Sequence, residues 1–241
     1  MKITDKDATL SIFGLRFNLA NDIPILVIAV LIFAFVYYCS RNLQLRPGKK
    51  QNMLEWVVDF TNNVVDSNLN GEEERRSAKL FGFVIFLFII VSNEIGLFFQ
   101  ISNNGYSYFR SPTASAVITM TLAMIVLAYS HYAGVKKHGL KRYLKSFVEP
   151  FAFFLPINLI DDFASFLTLS LRLYGNIYAG EVLIHLISSL AFGVKGMTFL
   201  TLPFAFFLML IWQVFSLFIG AVQTYVFLNL SIVYIDRKIN E

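Results

Sequence analysis

Cysteine, histidine and charge are all scarce in this chain. Cys39 is the only cysteine among 241 residues, and His131, His138 and His185 are the only histidines. No disulfide framework and no cysteine-based zinc site can therefore form within one chain. Charged residues make up 15% of the sequence, whereas a soluble domain carries about 25%. Also missing are HExxH, G-x-S-x-G and any nucleotide-binding loop, which leaves a membrane-embedded enzyme without a nucleophile or a metal. No Arg/Ser-rich transit segment and no short signal-like apolar region with a small-residue cleavage site precedes the first apolar run. A cleaved presequence is not expected.

What is abundant is apolar surface: 56% of residues are hydrophobic and 16% aromatic, with a mean hydropathy of +0.62. A chain of this size in water could not hide so much Phe, Leu and Ile. The composition excludes a disordered, collagen-like or nucleic-acid-coating chain and points to an integral membrane protein. Although the net charge is +4 and the pI about 9.1, the Lys and Arg residues gather in short segments between apolar spans. That is a topology signal, not a phosphate-binding face.

The pattern predicts an all-α integral membrane protein, one membrane domain over residues 1–241 with about five crossings and one amphipathic surface helix. Residues 22–39 form a first span and 53–66 a helix lying on the membrane surface, its Leu54, Val57, Val58, Val64 and Val65 at helical spacing. After a charged turn from Glu72 to Arg76 come spans at 80–101, interrupted by Asn93 and Glu94, and at 114–132, the latter followed by a basic loop. Residues 156–193 and 203–235 are each far longer than a span. As continuous helices they would rise roughly 50 to 55 Å against a hydrocarbon core of about 30 Å. A hairpin tilted by about 56°, joined near Gly193 to Thr198, fits them in, where the usual mean tilt is about 20°. A break at Gly175 or Gly180 is the alternative. With the N-terminus outside, fourteen Lys and Arg residues (Arg41 to Lys50, Arg75 to Lys79, Lys136 to Lys145, Arg237 and Lys238) fall inside and five (Lys2, Lys6, Arg16, Arg110, Lys195) outside. The N-out, C-in orientation follows.

Arg172 belongs to neither side. It lies mid-way along the first long apolar segment, in Leu169-Ser-Leu-Arg-Leu-Tyr-Gly-Asn-Ile-Tyr-Ala-Gly-Glu181. An arginine there costs about 3 kcal/mol or more, and it cannot shed its charge. A carboxylate partner, an aqueous cavity, or a salt bridge that only locks two helices would compensate it. At 100° per residue, Asn158, Asp161, Ser165, Thr168, Asn176 and Ala179 fall within about 40° of Arg172. Glu181 sits about 180° round and roughly 13 Å along the axis, with His185 one turn beyond. Two wet patches at opposite depths with a fixed cation between them suit two access routes that do not meet. Glu181 and His185, both able to titrate near neutrality in low dielectric, would serve the outer route. Asp161 and Asp162 would serve the inner one. Passing an ion between the two needs a carrier that this chain does not contain. Plainer readings stand beside these: Asp161 and Asp162 as caps near Pro156, His185 as a packing residue, and Gln213, Ser216, Gly220 and Gln223 of the second long helix as helix-binding polar groups.

The Ser-Leu-Arg-Leu-Tyr-Gly-Asn-Ile-Tyr-Ala-Gly-Glu run resembles the most characteristic stretch of subunit a of the rotary F-type ATP synthases, the ATPase subunit 6 family. Leu202-Pro203 and Val222-Gln223-Thr224-Tyr225-Val226-Phe227 resemble its final helix, and Ser111-Pro112-Thr113-Ala114-Ser115 is similar to its segment before the third span. The resemblance implies a non-catalytic, cofactor-free F0 stator, beside a c-subunit ring whose membrane carboxylates carry H+, or less commonly Na+. It also implies peripheral-stalk b subunits as partners, F1 indirectly, and surrounding lipid, in a bacterial plasma membrane. By the same resemblance Arg172 matches the essential arginine, Glu181 and Asn176 the outer half-channel, and Gln223 the glutamine near the arginine. Two departures stand out. Ser216 occupies a position where some members have histidine, which makes His185 a substitute partner for Glu181, and Phe166 occupies a position where many have proline. A proton-coupled secondary transporter is the rival from another class, but it would show inverted repeats around a midplane site, and none is evident.

Overall fold

A computed structural model of the chain describes residues 6–7, 9–12, 15–41, 43–98, 101–103, 106–109, 111–146, 154–193 and 198–240. Seven α-helices dominate it: α1 (Leu19–Ser40), α2 (Lys49–Asn68), α3 (Glu72–Phe98), α4 (Ala116–His138), α5 (Leu140–Ser146), α6 (Phe154–Gly193) and α7 (Thr198–Asn240). Four stretches are long and apolar enough to cross a membrane: Asn21–Ser40, Glu72–Leu97, Ala116–His138 and Leu202–Asn240. This is a multi-pass membrane protein. Helix α6 misses that apolar criterion although it has 40 residues, because Asp161, Asp162, Arg172, Glu181 and several amides and hydroxyls interrupt its apolar residues.

Several elements differ from the sequence expectation. The chain is not purely helical: β1 (Lys6–Asp7), β4 (Ile101–Asn103) and β5 (Tyr106–Phe109) form a small sheet in the order β1-β5-β4, and β2 (Thr9–Ile12) and β3 (Leu15–Asn18) form an antiparallel hairpin. Ile101 therefore belongs to a strand and not to the second span. The segment from Glu72 to Arg76 is the first turn of α3 instead of a turn before it. There its three glutamates sit at the helix N-terminus, where negative charge is favoured. The expected basic loop after the third span is helical for most of its length, since α4 runs on to His138 and α5 follows Gly139, whose φ of +78° ends α4. Helix α2 turns its apolar face to protein. Val64 and Val65 are buried with Phe86 of α3 and Leu228, Ile232 and Ile235 of α7, leaving Met53 and Trp56 exposed.

Helix α6 is continuous through Gly175 and Gly180. Helix α7 has 43 residues and tolerates Pro203 inside its second turn. The proposed joint between them, residues 194–197, lies outside the described residues, as do Lys2, Arg110 and Lys195 of the outer basic set. Cross-helix pairs fall in reverse order, Asp162 with Lys238, Asn176 with Gln223 and Gly180 with Trp212, so α6 and α7 run antiparallel. At mid-depth Leu169 and Leu173 of α6 are buried with Phe227 of α7, Ile85 and Ile89 of α3, and Ala123 and Val126 of α4. That core presses one face of α6 inward and turns the opposite face out.

Candidate functional site

Arg172 is on the outward face. Its neighbours Leu169 and Leu173 are 2% and 0% exposed, while Arg172, Leu171, Gly175, Asn176 and Ala179 are all exposed. Among the described residues nothing makes an ion pair or hydrogen bond to its guanidinium. A bracing salt bridge within the described chain is therefore not what holds this cation. Of the residues reckoned within about 40° of Arg172, Thr168, Asn176 and Ala179 are exposed as it is, and Asn158, Asp161 and Ser165, toward the start of α6, are half-buried.

Glu181 is on the other side of α6, 5% exposed, where α7 packs. Between α6 and α7 lies a cavity of about 240 Å³, lined by Asn176, Ala179 and Gly180 of α6, Trp212, Ser216 and Gly220 of α7, and Leu97 of α3. Asn176 Nδ2 donates to Gln223 Oε1 at 3.0 Å, and Trp212 Nε1 donates to the Gly180 carbonyl at 3.3 Å. Gln223 is 5% exposed and its Nε2 has no hydrogen-bond partner, and the same holds for Ser216 Oγ. The structure thus brings Asn176 and Ser216 together at one cavity, with Gln223 bonded to Asn176 and Glu181 buried directly after Gly180 of the lining. It does not bring His185 to them: that side chain is exposed and makes no hydrogen bond or ion pair with a described residue.

At the other end of the hairpin, Asp161 is paired with Arg237 and Asp162 with Lys238 at 3.0 Å, and His131 Nε2 lies 3.8 Å from Asp162. Both carboxylates stand two turns inside α6, which begins at Phe154, too deep for helix caps. Lys238 and Asp162 are buried, whereas Asp161 and Arg237 are about half-exposed. This cluster ties α6 to the last turn of α7.

Sequence reasoning named Asn93 and Glu94 of α3 only as an interruption of the second span and gave them no role. Asn93 anchors a buried polar knot: its Nδ2 donates to Thr224 Oγ1 (3.2 Å) and the Gly220 carbonyl (3.4 Å), and its Oδ1 accepts from Thr113 Oγ1 (2.7 Å). Ser111 Oγ completes it by donating to the Ser92 carbonyl at 3.1 Å. Glu94 beside it reaches Gly220, as taken up below. The signal for both was their placement as the only polar break in an apolar span.

The family described as ATP synthase A chain matches residues 23–236. The chain belongs to the ATP synthase subunit a family. It is 46% identical over 237 residues to ATP synthase subunit a of Pediococcus pentosaceus, covering 97% of each chain. It is also 46% identical to that of Limosilactobacillus reuteri (97% of each) and 42% identical to that of Bacillus subtilis (96% of each). As a member of the subunit a family the chain is a non-catalytic membrane subunit of the F0 sector, and its relatives here are bacterial.

Proposed function

We propose that this chain is the stator that passes protons to and from a rotating ring of c subunits through two offset aqueous half-channels, kept apart by Arg172. The observation that carries the reading is the division of α6 into two faces. An exposed arginine with no partner among the described residues looks out beside Gly175 and Ala179, and a glutamate is buried on the other side of the helix, next to Gly180 of the cavity lining. An intramembrane cation without an internal partner calls for a carboxylate from another chain, and Gly175, which has nothing within 4 Å of where its Cβ would be, leaves room for a neighbouring helix to come close.

On this reading protons move between the outer side and Glu181 through the cavity, and then past Asn176 and Gln223 to a ring carboxylate at the level of Arg172. A protonated carboxyl group can turn into lipid, because it sheds the cost of an ion in hydrocarbon. Once ionised it is held by Arg172, whose charge is permanent. The inner route runs along the Thr168, Ser165 and Asp161 side of α6, with the Asp161 and Asp162 ion pairs at its mouth. Ser216 contributes a hydroxyl to the outer cavity, and His185 lies toward the outer end. The assembly would be N-out and C-in, with five crossings, α6 and α7 steeply tilted, in a bacterial plasma membrane, with peripheral-stalk b subunits as further partners and F1 reached indirectly.

Replacing Arg172 by Ala tests this. ATP-driven quenching of a pH-sensitive dye in membrane vesicles should be abolished while the complex still assembles. Arg172→Lys should fail as well, since a compact ammonium cannot reproduce a permanently charged planar cation. Pumping at the wild-type rate in either variant would defeat the mechanism.

A further inference from the structure

We propose that Glu94 is a second protonatable group of the outer route, taking a proton from outer water and handing it on toward Glu181. The inference rests on the half-channel reading above and adds a residue from a different helix to it.

From Leu80 to Phe98, α3 contains one ionisable side chain, and it is Glu94. The carboxylate is half-buried, and its Oε2 is enclosed with no hydrogen-bond partner. Its Oε1 lies 3.6 Å from the position a Cβ would take on Gly220. Gly220 lines the cavity that also holds Asn176 and Ser216, and Leu97, one turn after Glu94, lines it as well. The carboxylate therefore meets the wall of this cavity at Gly220, across from Gly180, the residue before Glu181. Its location is fixed, because the preceding Asn93 is held by Thr113, Thr224 and the Gly220 carbonyl.

No cation faces it from the described residues packed on α3. Helix α7 has no charged residue before Asp236, and its Tyr225 ring lies tilted against Phe60 of α2. Helix α1 carries only Asp22, exposed at its outer end. The turn Pro112–Ala114 has none, the charges of α2 and Lys136 and Lys137 of α4 meet the other half of α3, and on α6 Arg172 and His185 are exposed while Glu181 is buried, none of them paired with Glu94. A structural glutamate inside a membrane span finds a cation or a donor. Among the described residues this one has neither, so water or a proton compensates its charge, and alternation between those two states is proton uptake and release. In the forward step hydronium protonates the Glu94 carboxylate and leaves water. The resulting acid then gives its proton, through cavity water, to the Glu181 carboxylate and becomes a carboxylate again.

The test uses the complete ATP synthase in membrane vesicles, with proton pumping followed against outer-side pH for Glu94→Gln, Glu94→Asp, Glu181→Gln and Arg172→Ala. Glu94→Gln should slow pumping by about tenfold, less than a full general acid–base contribution because water can partly bypass it. Its pH dependence should flatten, and Glu94→Asp should restore much of both. Wild-type rate and pH dependence in Glu94→Gln, with Glu181→Gln and Arg172→Ala inactive, would overturn this inference alone. Pumping by Arg172→Ala would overturn the reading beneath it. Should Glu94→Gln reduce the amount of complex, a Glu94→Cys variant lacking Cys39 decides. Labelling by a membrane-impermeant thiol reagent from outside supports the assignment, and no labelling from that side refutes it.

Discussion

Asn93 and Arg172 show opposite ways of keeping a polar side chain inside a membrane protein. Asn93 is 0% exposed and uses both ends of its amide on partners from the segment before α4 and from α7. Arg172 has no such partner among the described residues and faces out. The two therefore differ in what substitution does. Asn93→Leu should leave Thr113 and Thr224 short of a partner and cost about 1–3 kcal/mol, read as a lower thermal midpoint of the purified complex in detergent. An unchanged midpoint would mean that the knot contributes no stability. Arg172→Ala should leave that midpoint nearly unchanged while removing pumping.

Among the elements, α6 and α7 are held by charge where the start of α6 meets the end of α7 and along their middle by apolar packing. Buried Lys238 depends on Asp162 at 3.0 Å. Asp162→Asn should destabilise the hairpin, because it removes the carboxylate from a buried ion pair. Heat-induced release of the subunit from the complex is the measurement, and the double exchange of Asp162 and Lys238 should recover part of the loss. Helix α4 reaches the same end of α7 through Gly134. A Cβ there would come within 2.6 Å of the Tyr143 ring and 2.7 Å of the Lys238 carbonyl oxygen. Gly134→Ala should therefore lower thermal stability, whereas Gly48→Ala, with nothing within 4 Å, should not. Equal effects of the two would remove the case for close approach.

For the whole molecule the proposal of two separated routes makes a sidedness prediction. Cys39 is the only native thiol, so its replacement gives a clean background for single cysteines. Position 181 or 185 should react faster with a small charged thiosulfonate or silver ions from outside, and position 161 or 162 faster from inside. The apolar core around Leu169 and Leu173 separates the two ends of the hairpin, and a continuous water path would short-circuit an ion gradient. Equal labelling of all four positions from both sides would indicate an open pore.

Residue order alone determined the membrane setting, the long final helices, and the presence of two polar faces on α6, because these follow from composition, run length and a period of 3.6 residues. It also marked Arg172 and Glu181, since a charge amid apolar residues is conspicuous in one dimension. Only the tertiary structure decided which face of α6 is outward and which meets the cavity, since that depends on where α3, α4 and α7 bury Leu169 and Leu173. It also paired Asp161 with Arg237 and Asp162 with Lys238, residues some 76 positions apart. It separated His185 from the cavity, turned α2 onto α3 and α7, and joined Asn93 to Thr113 and Thr224. Periodicity places a side chain on its own helix. What stands opposite is set by how the helices pack, and for Glu94 and Asn93 that is where their roles lie.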